Sequence, residues 1–327
     1  MTEPATSVRR IAVTLGDPNG IGPEIVLRAL QALAEEVRTN PSTGGHALHI
    51  TVMGPPAPLE NAARVTGTQD IWRQLDLRPV GELPAAACRP GLVCAEAGAS
   101  AIASASAAIQ ACQAGEFDAV VAGPHHETAI HQAGIPFSGY PSLLARVCGQ
   151  PEHSVFLMLV GGGLRIVHAT LHESVATALA RLTPELIAQA AQAGVRACRR
   201  MGMAQPRVAL FGINPHASEG RLFGPEDDER VVPAVKQLIA SGLHVDGPRG
   251  ADMLLADRQH DLYVAMFHDQ GHIPVKLLAP QAASALSIGA DVLLASTGHG
   301  SAMDIAGTGT ARPDALLRSL RLVAGLH

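Results

Sequence analysis

Short apolar runs alternate along the chain with longer, alanine-rich stretches in which apolar residues recur every three to four positions. The runs have the length of buried strands, and the stretches have the periodicity of amphipathic helices. The predicted strands are Ile11–Leu15, His49–Met53, Ala119–Ala122, Leu164–Ala169, Arg207–Phe211 and Leu262–Met266. The predicted helices are Gly22–Ala34, Ala99–Gln113, Thr183–Arg199, Pro233–Ser241 and Pro313–Ala324. This alternation is typical of an α/β fold with a largely parallel sheet.

The longest apolar stretch, Val155–Val167, is interrupted by three glycines and by Arg165. It is too short to cross a bilayer, so we predict two buried strands joined by a glycine turn and no membrane partner. The linker-like segment Gly81–Pro90 is predicted to be a surface loop.

The composition narrows the class of protein. A length of 327 residues favours two domains, and 47% apolar with 16% charged residues is typical of a globular chain. The net charge of −5, without any long run of Lys or Arg, speaks against nucleic acid as a partner. Five cysteines without a C-x-x-C motif favour a reducing cytosol, and Met1–Arg10 lacks the apolar core of a secretory signal. We therefore expect a cytoplasmic protein.

Polar, glycine-rich loops follow most of the predicted strands, at the position where ligands bind in open α/β sheets. None contains the G-x-G-x-x-G fingerprint after a strand, and there is no P-loop. The loops are Gly16–Glu24, Gly123–Tyr140, Asn214–Gly224, His268–Lys276 and Gly298–Gly309.

Three histidines, His172, His216 and His268, each follow a predicted strand and could meet at one edge of the sheet. Three imidazoles with an open fourth position form a catalytic site for a divalent ion, most naturally Zn²⁺. The chain has 15 histidines, so other triples are available and His272 is a competing ligand. A loop histidine that only makes hydrogen bonds is the ordinary alternative.

Two aspartates and one lysine are candidates for acid–base or positioning roles. Asp252 and Asp269 could orient a metal-bound histidine or line the site, or they could simply form turns. Lys276, flanked by apolar residues, could be desolvated and act as a base or hold a substrate carboxylate. The alternative is a lysine whose stem lies along apolar surface while its charge stays in water.

Four motifs, in this order, resemble the 4-hydroxythreonine-4-phosphate dehydrogenase (PdxA) family: G-D-P-N-G-I-G-P-E, N-P-H-A-S-E-G, H-D-Q-G-H-I-P-V-K and H-G-S-A-M-D-I-A-G-T-G. The resemblance covers the chain from about Ile11 to Leu320. It implies an isocitrate/isopropylmalate dehydrogenase-like α/β/α sandwich of two domains with an inter-domain cleft. The domains would be residues 1–124 with 273–327, and residues 125–272. It also implies a homodimer in which the second subunit completes the active site.

The resemblance also assigns roles to residues. His172, His216 and His268 would bind the metal, with His268 coming from the partner chain. Lys276 would contact the substrate. Asp252 and Asp269 would line the site, and all three are the candidate catalytic residues. The general base is left open between Lys276, Asp252 and an oxygen on the metal. The residues that would hold NAD are His299, Gly300, Ser301, Ala302 and Asp304.

The sequence departs from that family where the substrate phosphate is bound. Leu294 and Ala285 replace an Arg and an Asn of the phosphate pocket, and losing the guanidinium removes a bidentate phosphate clamp. The segments 124–145 and 155–175 resemble instead the branch of terephthalate dihydrodiol dehydrogenases. That branch implies NAD-dependent oxidation of 1,2-dihydroxy-3,5-cyclohexadiene-1,4-dicarboxylate to protocatechuate, with loss of CO2.

His125, His126 and Tyr140 stand where the sequence departs from the phosphate-binding pattern. We expect them to bind the substrate by shaping the pocket around its ring and second carboxylate. The alternative is that the two histidines cap the helix predicted near Thr128. For the whole chain, a dehydrogenase of a phosphorylated hydroxy-acid and a non-catalytic metal or small-molecule binder are the competing functions.

Overall fold

The computed structural model describes residues 8–39, 47–280 and 283–326. Residues 1–7, on which the expectation about a secretory signal partly rests, lie outside the described residues. The chain divides into two compact units, Met1–Gln150 with Asp291–His327, and Pro151–Ala290.

The described residues form strands and helices in alternation, as the sequence predicts. The strands are β1 (Val8–Thr14), β2 (Ala47–Met53), β3 (Asp76–Arg78), β4 (Ala119–Ala122), β5 (Phe156–Gly161), β6 (Leu164–His168), β7 (Val208–Phe211), β8 (Val245–Arg249), β9 (Leu262–Ala265), β10 (Ser284–Ile288) and β11 (Leu294–Thr297). The α-helices are α1 (Gly22–Thr39), α2 (Pro56–Thr66), α3 (Gln69–Arg73), α4 (Ala95–Gln113), α5 (Glu127–Gln132), α6 (Tyr140–Val147), α7 (Val175–Arg181), α8 (Pro184–Arg200), α9 (Val232–Ala240), α10 (Ala251–Asp257), α11 (His268–Leu278) and α12 (Asp314–Ala324).

The first unit contains parallel strands in the order β3-β2-β1-β4-β11. The central strand β1 is fully apolar and buried at Ile11, Ala12 and Val13, as expected for a strand covered on both faces. The helices α4 and α12 pack against β1, and α1 packs against α12. On α4 the buried side chains are almost all small, so this helix can approach its neighbours closely. At Gly98 an added Cβ would lie 2.3 Å from the carbonyl oxygen of Ala129 in α5.

The second unit contains strands in the order β10-β5-β6-β9-β7-β8. Strand β5 is antiparallel to β10 and β6, and the pairs β6–β9, β9–β7 and β7–β8 are parallel. Strands β5 and β6 are joined through Gly162 and Gly163, whose φ angles are +60° and +79°. The prediction of two buried strands joined by a glycine turn is therefore confirmed. The core of the unit is built around Phe211, Tyr263 and Ile166.

The boundaries expected from the sequence, after residue 124 and before residue 273, differ from the divisions between the two units. Residues 125–150 form α5 and α6, which pack against α4 of the first unit. Residues 273–278 continue α11, which packs against β5 and β6 of the second unit. Helix packing, rather than the position of the polar loops, decides to which unit each segment belongs.

The ends of several elements follow the predicted signals. The strand Ala119–Ala122 has the predicted bounds, and α8 begins after Thr183, whose Oγ1 accepts a hydrogen bond from Leu186 N at 3.2 Å. The prediction of a polar, glycine-rich loop at His268–Lys276 is wrong, because this segment forms α11. Its first turn is tied by Gln270, whose Oε1 accepts from Met266 N and Phe267 N.

No helix in the described ranges combines the length and the apolar character that a membrane span requires.

Candidate metal and active site

The three histidines predicted to bind a metal follow three neighbouring strands of the second unit. His172 follows β6, His268 follows β9 and His216 follows β7, and these strands are parallel and adjacent. The carboxyl ends of adjacent parallel strands lie at one edge of a sheet, where ligands bind. The first two loops are joined there by Thr170, whose Oγ1 donates to Met266 O at 2.6 Å.

His172 and His268 lie side by side, with ring centroids 5.5 Å apart. Together with Asp269 they line a cavity of about 330 Å³ in the second unit. The other residues around this cavity are Thr170, Leu171, Glu173, Val175, Ala178 and Phe267. Two of the three predicted metal ligands and one predicted acidic residue therefore share one cavity.

His216 occupies a tight left-handed turn. Residues 216–219 have φ angles of 52°, 53°, 67° and 41°, although none of them is glycine. This conformation costs free energy for L-residues, and such strain is concentrated at functional sites. Within the described part of a single chain, no three His, Cys, Asp or Glu residues are arranged to hold a metal ion. His216 is therefore not brought together with His172 and His268 in one chain.

A buried carboxylate, Asp227, holds the His216 turn in place. Its side chain is fully buried and accepts three hydrogen bonds, from Ile213 N at 2.7 Å, Asn214 N at 3.0 Å and Ser218 Oγ at 2.7 Å. The role of Asp227 could not be predicted from the sequence. Nothing in its local pattern, D-D-E-R, distinguishes it from a solvated acidic helix start.

Two of the predicted ligands have one ring nitrogen bonded to a carboxylate. His268 Nδ1 lies 2.7 Å from Asp269 Oδ1, and His216 Nδ1 lies 3.0 Å from Glu219 Oε2. A carboxylate on Nδ1 fixes the tautomer that leaves Nε2 as the lone-pair donor, which is the usual arrangement around metal-bound histidines. The chemistry of these side chains fits a divalent ion.

Lys276 lies on α11, one turn beyond His272 and on the same face of the helix. Burial, the neighbouring His268 and, with a smaller effect, Lys276 lower the pKa of His272 to about 4. Lys276 itself is exposed, so the desolvation considered in the sequence analysis is not found in this chain. Asp252 is also exposed, in the first turn of α10.

In the first unit, the loop predicted to hold NAD packs on the glycine-rich turn that follows β1. Ile21 N donates to Ser301 O at 2.9 Å, and Gly307 N donates to Glu24 Oε1. Gly20 has to be glycine here, because a Cβ would lie 2.8 Å from the Cβ of Ser301. In the same loop, Ser301 is buried and the His299 ring contacts Gly300 O, while Asp304 is exposed.

A cavity of about 420 Å³ lies beside these two loops in the first unit. Its polar lining includes Asn19, Glu24, Asn61 and Arg64. The second carboxylate oxygen of Glu24, Oε2, is buried and has no hydrogen-bond partner among the described residues. Buried acceptors without a partner are costly, so a ligand that brings N–H or O–H donors, as the adenosine half of NAD does, fits this lining.

His125 lies in an aromatic corner of the first unit. Its ring makes edge contacts with Phe137 at 4.7 Å and Tyr140 at 5.0 Å between centroids, and burial lowers its pKa. Tyr140 is buried, and its hydroxyl donates to Gly123 O at 2.7 Å, which fixes the ring that His125 contacts. His126 begins α5 and accepts from Ala129 N through Nδ1 at 3.3 Å, which is the capping role considered in the sequence analysis.

Asp17 is a second buried carboxylate, which in the sequence stands out only as part of the glycine-rich loop Gly16–Glu24. Its Oδ1 accepts from Asn19 N at 2.9 Å, its backbone N–H donates to Pro124 O at 2.9 Å, and its Oδ2 is buried without a partner among the described residues. Burial raises the pKa of Asp17 to about 6, while its hydrogen bond to Asn19 and the nearby His126 oppose that rise. Asp17 thus joins the first loop to the segment that carries His125 and His126.

Comparison with known proteins identifies close relatives. The family model described as "Pyridoxal phosphate biosynthetic protein PdxA" matches residues 25–323. The chain is 58% identical, over 96% of its length and 97% of the relative's, to 1,2-dihydroxy-3,5-cyclohexadiene-1,4-dicarboxylate dehydrogenase of Comamonas sp.

Solved structures agree with this result. A terephthalate 1,2-cis-dihydrodiol dehydrogenase from Burkholderia xenovorans LB400 is 46% identical, with a TM-score of 0.77 over 97% of this chain and 98% of that chain. A 4-hydroxythreonine-4-phosphate dehydrogenase from Burkholderia phymatum is 33% identical, with a TM-score of 0.84 over 98% of each chain. A β-decarboxylating dehydrogenase from Thermococcus kodakarensis is 16% identical, covering 97% of this chain and 84% of that chain, and its TM-score of 0.52 shows the fold alone. The predicted fold class is confirmed.

The buried carboxyl of Asp17 predicts a specific pH dependence of stability. Its native pKa of about 6 lies above the ordinary value of 3.8, so the native state retains a proton that the unfolded chain releases. This contribution to stability is complete below pH 4 and is lost as the pH rises through 6. The difference in free energy of unfolding between Asp17→Asn and the wild type should grow by about 3 kcal/mol in favour of the variant from pH 4 to pH 7. Urea denaturation at each pH measures this difference. Asp70→Asn, at an exposed site, should show no such gain, and an equal gain in both variants would contradict the assignment.

The three hydrogen bonds to Asp227 predict a stability loss that is centred on the His216 turn. Asp227→Ala leaves three donors without their acceptor, and we expect it to lower the free energy of unfolding by about 3 kcal/mol. It should also accelerate tryptic cleavage after Arg221. Asp228→Ala, which removes an exposed ion pair with Arg221, should change stability by less than about 1 kcal/mol. Similar losses in the two variants would show that Asp227 does not hold the turn.

Proposed function

Because this chain belongs to the PdxA family, we propose that it is a metal-dependent, NAD-linked dehydrogenase of 1,2-dihydroxy-3,5-cyclohexadiene-1,4-dicarboxylate. The products would be protocatechuate, CO2 and NADH. The observation that carries this proposal is the 58% identity, over nearly the full length of both chains, to a dehydrogenase named for that substrate. The family predicted from the four motifs is confirmed. We further propose a cytoplasmic location, which the five free cysteines support.

We propose that His172, His216 and His268 hold the divalent ion, and three imidazoles suit Zn²⁺. The carboxylates of Asp269 and Glu219 on His268 and His216 support this choice. Since the described residues of a single chain do not assemble the three rings, we propose that two subunits of a homodimer share the site, with His268 coming from the second subunit as the family resemblance implies. When bound, the ion would supply Lewis acidity that polarises a substrate oxygen and lowers the pKa of its hydroxyl.

We propose that NAD is held in the first unit by the loop Gly298–Gly309, which contacts Ile21 and Glu24. The cofactor would supply the hydride acceptor. The protein groups assigned to it are His299, Gly300, Ser301, Ala302 and Asp304. The fixed packing of this loop on Gly20 and Ile21 supports the assignment, because a rigid loop orients a cofactor without first having to be ordered.

The residues of the second unit would bind the substrate and move one proton. Lys276, an exposed ammonium on the face of α11 that carries His272, can pair with a substrate carboxylate. Asp252, or Lys276 once it has lost its own proton, would take the proton of the secondary hydroxyl as that carbon is oxidised to a ketone and its hydride passes to NAD⁺. The ketone is then β to a carboxylate, so the bond to CO2 breaks and its electron pair moves to the ketone oxygen. Proton redistribution gives the aromatic catechol. Asp269 would orient His268 throughout.

Selectivity for a dicarboxylate rather than a phosphate is supported by two features of the first unit. Leu294 is an apolar, fully buried residue of β11, so no guanidinium is available at that position to clamp a phosphate. His125 is held in a defined orientation between Phe137 and Tyr140. A rigid imidazole next to an aromatic surface suits the diene ring and second carboxylate of the proposed substrate.

The first test is product formation by the purified enzyme with NAD⁺ and the dihydrodiol dicarboxylate. We expect NADH by absorbance and protocatechuate by chromatography in equal amounts, and loss of both after chelation, with recovery on adding Zn²⁺. His172→Ala should lower kcat/KM by at least about 10²-fold, since it removes a proposed ligand. Turnover of 4-phosphohydroxythreonine instead would contradict the substrate proposal. Absence of any NAD turnover with the metal bound would favour a non-catalytic binder.

The two histidines of the first unit should behave differently. His125→Ala removes the imidazole held in the aromatic corner, so we expect KM for the dicarboxylate to rise at least about 10-fold, since a hydrogen bond to a charged group is worth about 1.5–3 kcal/mol. His126→Ala should mainly lower the free energy of unfolding, by about 1 kcal/mol, because it removes the cap of α5. His131→Ala, at an exposed site on the same helix, is the matched control. Unchanged kinetics in His125→Ala would remove it from the substrate pocket.

A further inference from the structure

A buried histidine with no role in the proposed reaction lies beneath the predicted metal ligands. His168 is the last residue of β6 and is 1% exposed, whereas His172 and His268 border the cavity. Its ring lies 4.7 Å from the ring of His272 and 6.4 Å from that of His268, measured between centroids. A buried polar ring at the end of a core strand is expected to have hydrogen bonds that account for its presence.

The hydrogen bonds of His168 determine its tautomer. Its Nδ1 lies 3.1 Å from the carbonyl oxygen of Leu157, which can only accept, so Nδ1 carries the proton. Burial, together with the neighbouring His272, lowers the pKa of His168 to about 3, so the ring is neutral and its Nε2 is an acceptor.

The tautomer of His168 in turn determines that of His272. The Nδ1 of His272 lies 3.1 Å from His168 Nε2 and 3.2 Å from the carbonyl oxygen of His268. Both partners accept, so His272 Nδ1 must be the donor. The chain of bonds therefore runs from His272 to His168 to Leu157, and each proton has one defined position.

The absence of a side chain at Gly271 leaves space for this series of hydrogen bonds. Gly271 lies on the first turns of α11, and a Cβ there would lie 2.3 Å from His168 Nε2. A side chain at this position would displace the His168 ring. Gly271 is thus required by the contact between β6 and α11.

The ring of His272 lies flat against the ring of His268, with centroids 3.6 Å apart and an angle of 12° between the planes. His268 is therefore held on its edge by Asp269 and on its face by His272. We propose that His168 is a positioning residue, which fixes the tautomer and the ring plane of His272 and, through the stack, the orientation of His268. The effect expected on metal binding rests on the proposed function, whereas the positioning itself does not.

Two substitutions at His168 separate positioning from packing. His168→Leu keeps an apolar volume but removes the acceptor for His272. His168→Gln can place its amide oxygen near the position of Nε2 and restore that acceptor. Gly271→Ala is an independent variant that keeps His168 and displaces its ring, and alanine is favoured over glycine in a helix, so this variant should fold.

Histidine ¹⁵N NMR of the metal-free protein tests the positioning directly. We expect a single Nδ1–H tautomer of His272 in the wild type and in His168→Gln. His168→Leu and Gly271→Ala should give a mixture of tautomers, because only the 3.2 Å bond to the His268 carbonyl remains. An unchanged His272 signal in both of these variants would overturn the proposal.

Zn²⁺ affinity, measured by competition with a chromophoric chelator, tests the consequence for the site. We expect it to fall about 10- to 100-fold in His168→Leu and Gly271→Ala, as for other residues that orient metal ligands, and to be largely restored in His168→Gln. Ile187→Val, a mild substitution in the core of α8, controls for general destabilisation and should leave the affinity unchanged. Unaltered affinity in His168→Leu despite a changed tautomer would show that His168 does not position the site. If the wild type binds no Zn²⁺, the metal proposal fails, and the NMR result still decides the role of His168.

Discussion

Parallel pairing of β6 with β9 and of β9 with β7 is the constraint on which the candidate site depends. Each strand is short and fully or almost fully buried, so its register is set by the core on both faces and cannot slip without exposing apolar residues. The loops that follow the strands have different lengths and conformations, but all begin at the same edge. The positions of His172, His216 and His268 therefore follow from backbone pairing in the core rather than from contacts among the histidines.

Much of this arrangement could be predicted from the sequence, because it rests on local pattern. Apolar runs predict the buried strands. The change to a polar, glycine-rich composition after each run predicts where the loops with functional residues begin. The helix α11 could not be predicted in this way, since Gly271 and Pro274 both weaken a helical pattern. The glycine is there to admit the His168 ring from another element, and that reason is visible only once the two elements are packed.

The roles of the buried carboxylates also could not be predicted from the sequence. Asp17 and Asp227 look like ordinary residues of a turn and of an acidic helix start, and only burial shows that each organises a loop of a candidate site. The reverse holds for Lys276 and Asp252, which were candidate site residues from the sequence but are exposed in this chain. Assigning their roles depended on resemblance to a family, because the geometry around an exposed side chain in one subunit does not determine what it contacts.

The first unit is built from two separate stretches of chain, with the whole of the second unit between them. During synthesis, β1 and β4 emerge before the second unit, but β11, which pairs with β4, and α12, which packs on α1, emerge after it. Until then the edge of β4 is unpaired and the apolar surface that α12 covers is open to water, while the second unit is already complete. Until β11 and α12 have been made, the nascent chain therefore carries an unpaired strand edge, which must be kept from pairing with another chain.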